Sequence, residues 1–189
     1  MIWIFIAASV LSLAGIAYGV VVVRKNNERL GMHQITRWNR KWVPLTIVVG
    51  EEFLSEEQSR LTDAVKAAAR FWNEQTKIKL FAPQGDVGDG GVIPIMRQPL
   101  SDIMADKHKD AVAYAELAIN KSIKSAAVYM VNWENLPTTV LARAMKHELG
   151  HCLGLMHDEI EYSVMYGKTS KHVYCVSPDD KAFLKEVYG

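Results

Sequence analysis

Apolar and polar residues are arranged in three distinct ways along this chain. From Ile2 to Val23 no charge interrupts an apolar run. A helix rising about 1.5 Å per residue carries such a run roughly 33 Å, enough to cross a hydrocarbon core of ~30 Å. Trp3 to Val23 has no polar face, which sets it apart from a helix buried in a globular core. From Trp42 to Val49 the pattern becomes alternation: Leu45, Ile47 and Val49 share a face and Gly50 ends the run, as in a first strand. After that the period is helical. Ser55-Glu56-Glu57-Gln58 has the form of a capping box, with Ser55 as N-cap and Gln58 reaching back. Leu61, Val65, Ala68 and Trp72 make one apolar stripe behind it.

Short runs at Val92–Met96, Ala111–Glu116 and Ala126–Val131 read as further strands. Pro137-Thr138-Thr139 opens another helix, with either threonine able to cap it, running to about Leu153. Ser177 as N-cap, Pro178 at the first helical position and Asp179 and Asp180 in the first turn open the last helix. Capping and the helix dipole are sufficient reasons for both aspartates. The elements together predict an α+β domain, a twisted mixed sheet with helices packed on it.

The chain divides into three parts: an apolar segment at 1–23, a basic stretch at 24–41 and a globular domain at 42–189. The apolar segment is a membrane anchor or a signal sequence. The absence of a basic residue before it and its length favour an uncleaved single-pass anchor, although Gly15-Ile16-Ala17 offers a cleavage site. Arg24, Lys25, Arg29, Arg37, Arg40 and Lys41 can rest on anionic lipid headgroups with Trp38 and Trp42 at the interface, or form a plain solvated linker. The positive-inside rule places the globular domain in the cytoplasm. With 22 basic and 21 acidic residues, the net charge of +1 argues against nucleic acid as the main partner. Two cysteines, Cys152 and Cys175, leave the redox compartment open, since they are either a bonded pair or two separate thiols.

The segment His147-Glu148-Leu149-Gly150-His151-Cys152-Leu153-Gly154-Leu155-Met156-His157 names the chemistry. On a helix, residues i and i+4 share a face, so His147 and His151 can direct two ring nitrogens at one metal, with Glu148 nearby. Gly154 can take the left-handed conformation that ends a helix, and the turn it starts brings His157 round as third ligand. Zinc held by three protein ligands keeps a fourth position for water and lowers its pKa to about 7. Glu148 is the natural general base.

Ser163-Val164-Met165-Tyr166-Gly167 comes next, and with the extended zinc motif it resembles the metzincin clan of metallopeptidases. The Leu-Gly-Leu run, the Val-Met-Tyr turn and the closing stretch from Ser177 to Gly189 are most similar to the matrixin branch. The resemblance implies a matrixin-like zincin fold with a twisted mixed five-stranded sheet and three helices. The first helix would lead through Leu80 and Phe81 into the second strand. It implies one catalytic zinc, a hydrophobic floor from Met165 and a pocket wall from Tyr166. It further implies a peptide substrate paired with the edge strand at Ala113 and Ala115, a supporting carboxylate at Asp158 that orients an imidazole or braces the turn, and a domain facing outward.

Some family features are missing. No segment resembles the cysteine-containing propeptide of matrixins, and Gly167 stands where many have proline. Of the second, structural zinc site only His108 and Asp110 remain, and a solvated loop explains them better. Gly85-Asp86-Val87-Gly88-Asp89-Gly90-Gly91 could hold Ca²⁺ but reads more simply as a turn. His33, His108 and His172 lack ligand spacing and read as surface residues. The most economical function is a membrane-tethered zinc endopeptidase acting on protein or peptide. The alternative is a catalytically silent, zinc-stabilised binding or scaffold module, which would have no need of Glu148 beside an open metal position.

Overall fold

Alternation at Leu45, Ile47 and Val49 produces a short strand, β1 (Thr46–Val49), whose core-facing side chains set the position of everything packed on it. The computed structural model describes residues 37–83, 90–98, 111–167 and 175–189. Within them β1 is followed by α1 (Ser55–Thr76), β2 (Val92–Arg97), β3 (Ala113–Asn120), β4 (Ser122–Met130), α2 (Thr138–Cys152) and α3 (Pro178–Tyr188). The strands form one sheet in the order β1-β2-β4-β3. β2 is parallel to both β1 and β4, and β3 runs antiparallel to β4 at the edge. Ile47, Ile93, Ile95, Val128 and Met130 pack beneath α1 and α2, meeting Leu61, Val65, Trp72, Leu141, Met145 and Leu149.

The mixed sheet and three helices match expectation, but the sheet has four strands among the described residues, not five. The strand expected at Leu80 and Phe81 contracts to a single parallel bridge between Leu45 and Phe81. The cause is local: the Asn73 side-chain oxygen accepts the N–H groups of both Leu80 and Phe81, at 2.9 and 3.0 Å, and so competes with a ladder. The first strand is also shorter than expected. Arg40–Trp42 form a 3₁₀ turn and Pro44 has no N–H to contribute to a ladder.

Two helix starts differ from the sequence reading. The N-cap of α1 is Leu54, not Ser55, and Glu57 rather than Gln58 reaches back, accepting the Leu54 N–H at 2.8 Å. Glu57 is held in place by Arg97 at 2.8 Å, while Gln58 donates to the Gly50 carbonyl. The N-cap of α2 is Pro137, and neither Thr138 nor Thr139 caps the helix; its first turn closes on the Pro137 carbonyl instead. Arg60 donates to the Glu134 and Leu136 carbonyls, fixing where α2 begins. Arg60 and Arg97 both lie over the Trp133 ring, 5.8 and 5.5 Å from its centroid, a cationic packing that orders the same corner. α3 starts as expected, with the Ser177 hydroxyl accepting the Asp180 N–H at 3.1 Å.

Trp38, read from sequence as lying at a lipid interface or in a solvated linker, is instead in the core at 2 % exposure, its indole N–H donating to the Cys152 carbonyl at 2.7 Å. A tryptophan is buried at low cost when its one polar atom finds a partner, and here a helix end supplies it. Trp42 is half-buried, edge-on to Trp38. Cys152 and Cys175 are both free thiols. No described helix is long and apolar enough to cross a membrane, and Ile2–Val23 lies outside the described residues.

Candidate metal centre

His147 and His151 lie one turn apart on α2, and the helix ends just beyond them in a Schellman arrangement. Gly154 has φ 94°, its N–H donates to the His151 carbonyl at 2.9 Å and the Leu155 N–H donates to the Gly150 carbonyl at 3.1 Å. This reversal brings His157 back to the other two. The three Nε2 atoms form a triangle with edges of 3.0, 3.1 and 3.2 Å.

The second ring nitrogens show which atoms face the triangle. His147 Nδ1 donates to the Val164 carbonyl at 2.8 Å and His151 Nδ1 donates to the Leu155 carbonyl at 2.9 Å. A carbonyl only accepts, so both rings carry their proton on Nδ1 and turn a lone pair inward from Nε2. Lone pairs do not attract each other; they converge on a cation. Tetrahedral zinc with Zn–N of about 2.0–2.1 Å separates its nitrogens by about 3.3–3.4 Å, close to the observed edges. Burial pushes His151 down to about 3 and also lowers His147 and His157, which keeps the imidazoles in the neutral form that a metal needs. Among the described residues this is the one cluster of His, Cys, Asp or Glu side chains able to hold a metal ion.

Glu148 comes directly after the first ligand and is 8 % exposed. Burial pushes its carboxyl up to about 8, against the opposing pull of a hydrogen bond from the Ala115 backbone. The edge strand is thus drawn against the candidate base. Ala113 is buried and Ala115 half-buried; both lie on β3, whose far edge carries no strand partner among the described residues. Asp158 braces the turn: its carboxylate accepts the Ile160 N–H at 3.0 Å and its own N–H donates to the Met165 carbonyl at 3.0 Å. No hydrogen bond joins it to an imidazole, although its charge raises the proton affinity of His157 and His147.

Met165 is fully buried and packs against Gly150, between the two helical ligands, while Tyr166 is half-buried. A Cβ on Gly150 would lie 2.3 Å from Met165 Sδ and 2.8 Å from Trp72 Cζ2. Trp72 is itself tied to the helix by its indole N–H, which donates to the Lys146 carbonyl at 2.8 Å. Gly150→Ala should therefore reverse the usual rule that alanine strengthens a helix interior. We expect a loss of about 1–3 kcal/mol, read as a lower denaturant midpoint at unchanged m-value. Gly167 stands close to the third ligand, since a Cβ there would meet the His157 ring at 3.1 Å.

Sequence reasoning missed Gly150, Ser163, Trp38 and the Val164 and Leu155 carbonyls. A glycine inside a helix costs about 1 kcal/mol relative to alanine, so Gly150 carried a signal that some close contact required it. Ser163, whose hydroxyl accepts the Met165 N–H at 3.0 Å, carried none. His33, His108, His172, Asp110 and the Gly85–Asp89 part of the glycine-rich loop lie outside the described residues.

A search of curated proteins finds none that matches this chain. The family profile of the matrixins, peptidase family M10, does match, over residues 37–189. That span begins beside Trp38 and takes in every strand and helix that positions the imidazole triangle; the chain belongs to the matrixin family of zinc metallopeptidases.

Proposed function

We propose that this chain is a zinc-dependent endopeptidase tethered to a membrane through Ile2–Val23, and that Glu148 is its general base. The observation that carries the reading is one buried carboxylate that directly follows the first imidazole of the triangle and is hydrogen-bonded to the Ala115 backbone of the edge strand β3. His147, His151 and His157 would hold the zinc. When bound, zinc supplies Lewis acidity toward the scissile carbonyl and activates water.

The chain's own groups do the rest. An extended peptide adds to the edge of β3 antiparallel, using backbone groups of Ala113 and Ala115, so affinity comes largely from main-chain pairing. Glu148, beside Ala115, takes a proton from the attacking water and returns it to the leaving nitrogen. The neighbouring Ala115 N–H holds the carboxylate while it waits. Met165 and Gly150 give the ligand helix a rigid floor, and Tyr166 forms the wall against which a substrate side chain is judged. Pairing with an edge strand does not require a chain end, which favours internal cleavage. Membrane tethering rests on the apolar run alone.

The test is the full chain reconstituted in lipid vesicles, loaded with zinc and offered a quenched peptide library. Cleavage of internal bonds by protein that stays with the vesicles after alkaline washing is the expected result. A zinc-replete chain that cleaves nothing would favour the silent scaffold. Release by the wash would remove the tether.

A further inference from the structure

The last carbonyls of an α-helix have no partner within the helix, and the end of α2 matters more than most because it delivers two of the three ligands. Each of these carbonyls can be traced. Leu149 O accepts the Leu153 N–H, Gly150 O accepts those of Leu153 and Leu155, and His151 O accepts that of Gly154. Cys152 O and Leu153 O remain, and both are satisfied from far away in sequence. The Trp38 indole N–H donates to Cys152 O at 2.7 Å, and the Tyr188 hydroxyl donates to Leu153 O at 3.1 Å. The two donors are themselves joined, because the Trp38 backbone N–H donates to the Tyr188 oxygen at 3.1 Å. Burial pushes the Tyr188 hydroxyl up to about 12, so it keeps its proton and remains a donor at neutral pH.

Cys152 and Leu153 lie between His151 and the Gly154 reversal that returns His157. The Leu155 carbonyl, two residues on, orients the His151 ring. A shift at Cys152 or Leu153 therefore moves one ligand's orienting acceptor and another ligand's backbone together. We infer that Trp38, with Tyr188 as its relay, is a positioning residue for the metal centre: it clamps the end of the ligand helix and so sets the inward aim of His151 and His157. The inference rests on the zinc-centre reading. It makes the segment that enters the domain part of the metal site's support. The same segment is anchored on its other side, where the Arg37 carbonyl accepts the Ile123 N–H of β4 at 2.8 Å, and at Arg40, whose guanidinium donates to the Gly189 carbonyl.

The experiment compares zinc affinity by chelator competition, and the visible spectrum of the cobalt-substituted protein, in four full-length chains. These are the wild type, Trp38→Phe, Tyr188→Phe and Trp133→Phe. Phenylalanine keeps an aromatic ring at 38 while deleting the donor. Trp133 is the control, a fully buried indole whose N–H has no hydrogen-bond partner among the described residues and which lies at the opposite end of α2. Zinc binding about tenfold weaker with a shifted cobalt spectrum is expected for Trp38→Phe. Tyr188→Phe should change both in the same direction, while Trp133→Phe, however it affects unfolding, should leave both as in the wild type. Tyr188→Phe also serves if Trp38→Phe does not fold. Unchanged affinity and spectrum in the 38 and 188 variants would overturn the inference, as would an equal weakening in all three. A wild type that binds no stoichiometric zinc would overturn the metal centre and this inference together; a wild type that binds it beside unaffected variants overturns the inference alone.

Discussion

Glutamine in place of Glu148 is expected to slow peptide cleavage by about 10²–10⁴-fold while zinc stays bound. The amide has the carboxylate's shape and its oxygen can still accept the Ala115 N–H. It opens no cavity at a position that is 8 % exposed, where alanine would. What it cannot do is take up a proton. No ligand nitrogen is touched, so metal content, measured on the same preparation, should equal that of the wild type. If a zinc-replete Glu148→Gln chain cleaves within tenfold of the wild type, the base is some other group.

Removing zinc should lower stability nearly as sharply as that substitution lowers activity. A ligand bound only by the folded state stabilises it by about 4 kcal/mol when its free concentration is a thousand times its dissociation constant. Chelation should cancel that contribution and shift the denaturant midpoint accordingly. The metal-free chain should also weaken in acid. Burial lowers the His151 pKa from 6.5 to about 3 in the folded state, so below pH 6.5 the unfolded chain takes up a proton that the folded chain refuses. The contribution is present above that value and declines as pH falls toward about 3; His147 and His157, also lowered, add in the same direction. Glu148 opposes them: raised to about 8, it favours the folded state below its ordinary value and loses that effect as pH rises through 8. The Glu148→Gln background removes this opposition, so urea titrations of that variant between pH 5 and 8 (a range of about three units), with and without chelator, isolate the histidines. Coincident midpoints with and without zinc would mean the triangle holds no ion.

What sequence could disclose of this site was whatever depends on local spacing. His147, Glu148, His151 and His157 were legible because helical periodicity and one glycine turn are properties of neighbours in the chain. The α3 cap was legible for the same reason. Errors arose where two local solutions compete. Ser55 and Leu54 both offer a plausible helix start, and the choice falls to Leu54 because Glu57 is held by Arg97, forty residues away. Asn73 could have remained in solvent, but it takes the N–H groups of Leu80 and Phe81, and among the described residues that segment makes a single bridge to Leu45. Trp38 in a basic stretch has the look of a membrane-interface residue, and nothing within that stretch reveals an unpaired carbonyl at Cys152. The carbonyls of Val164 and Leu155 were beyond sequence reasoning altogether, since every residue has one.

The ligands and their orienting carbonyls all fall between His147 and Val164, a single short stretch, whereas the partner of Glu148 is on β3, more than thirty positions upstream. Contacts close in sequence form early and with little loss of chain entropy; distant ones wait for the sheet. The orientation of the ligand rings and the placement of the base therefore rest on different contacts, the first local and the second distant. Loss of the Ala115 contact alone would leave the three ligands and the Trp38 clamp in place, so zinc stoichiometry in a purified sample reports the ligand helix, its turn and its clamp, not the seating of Glu148 against β3.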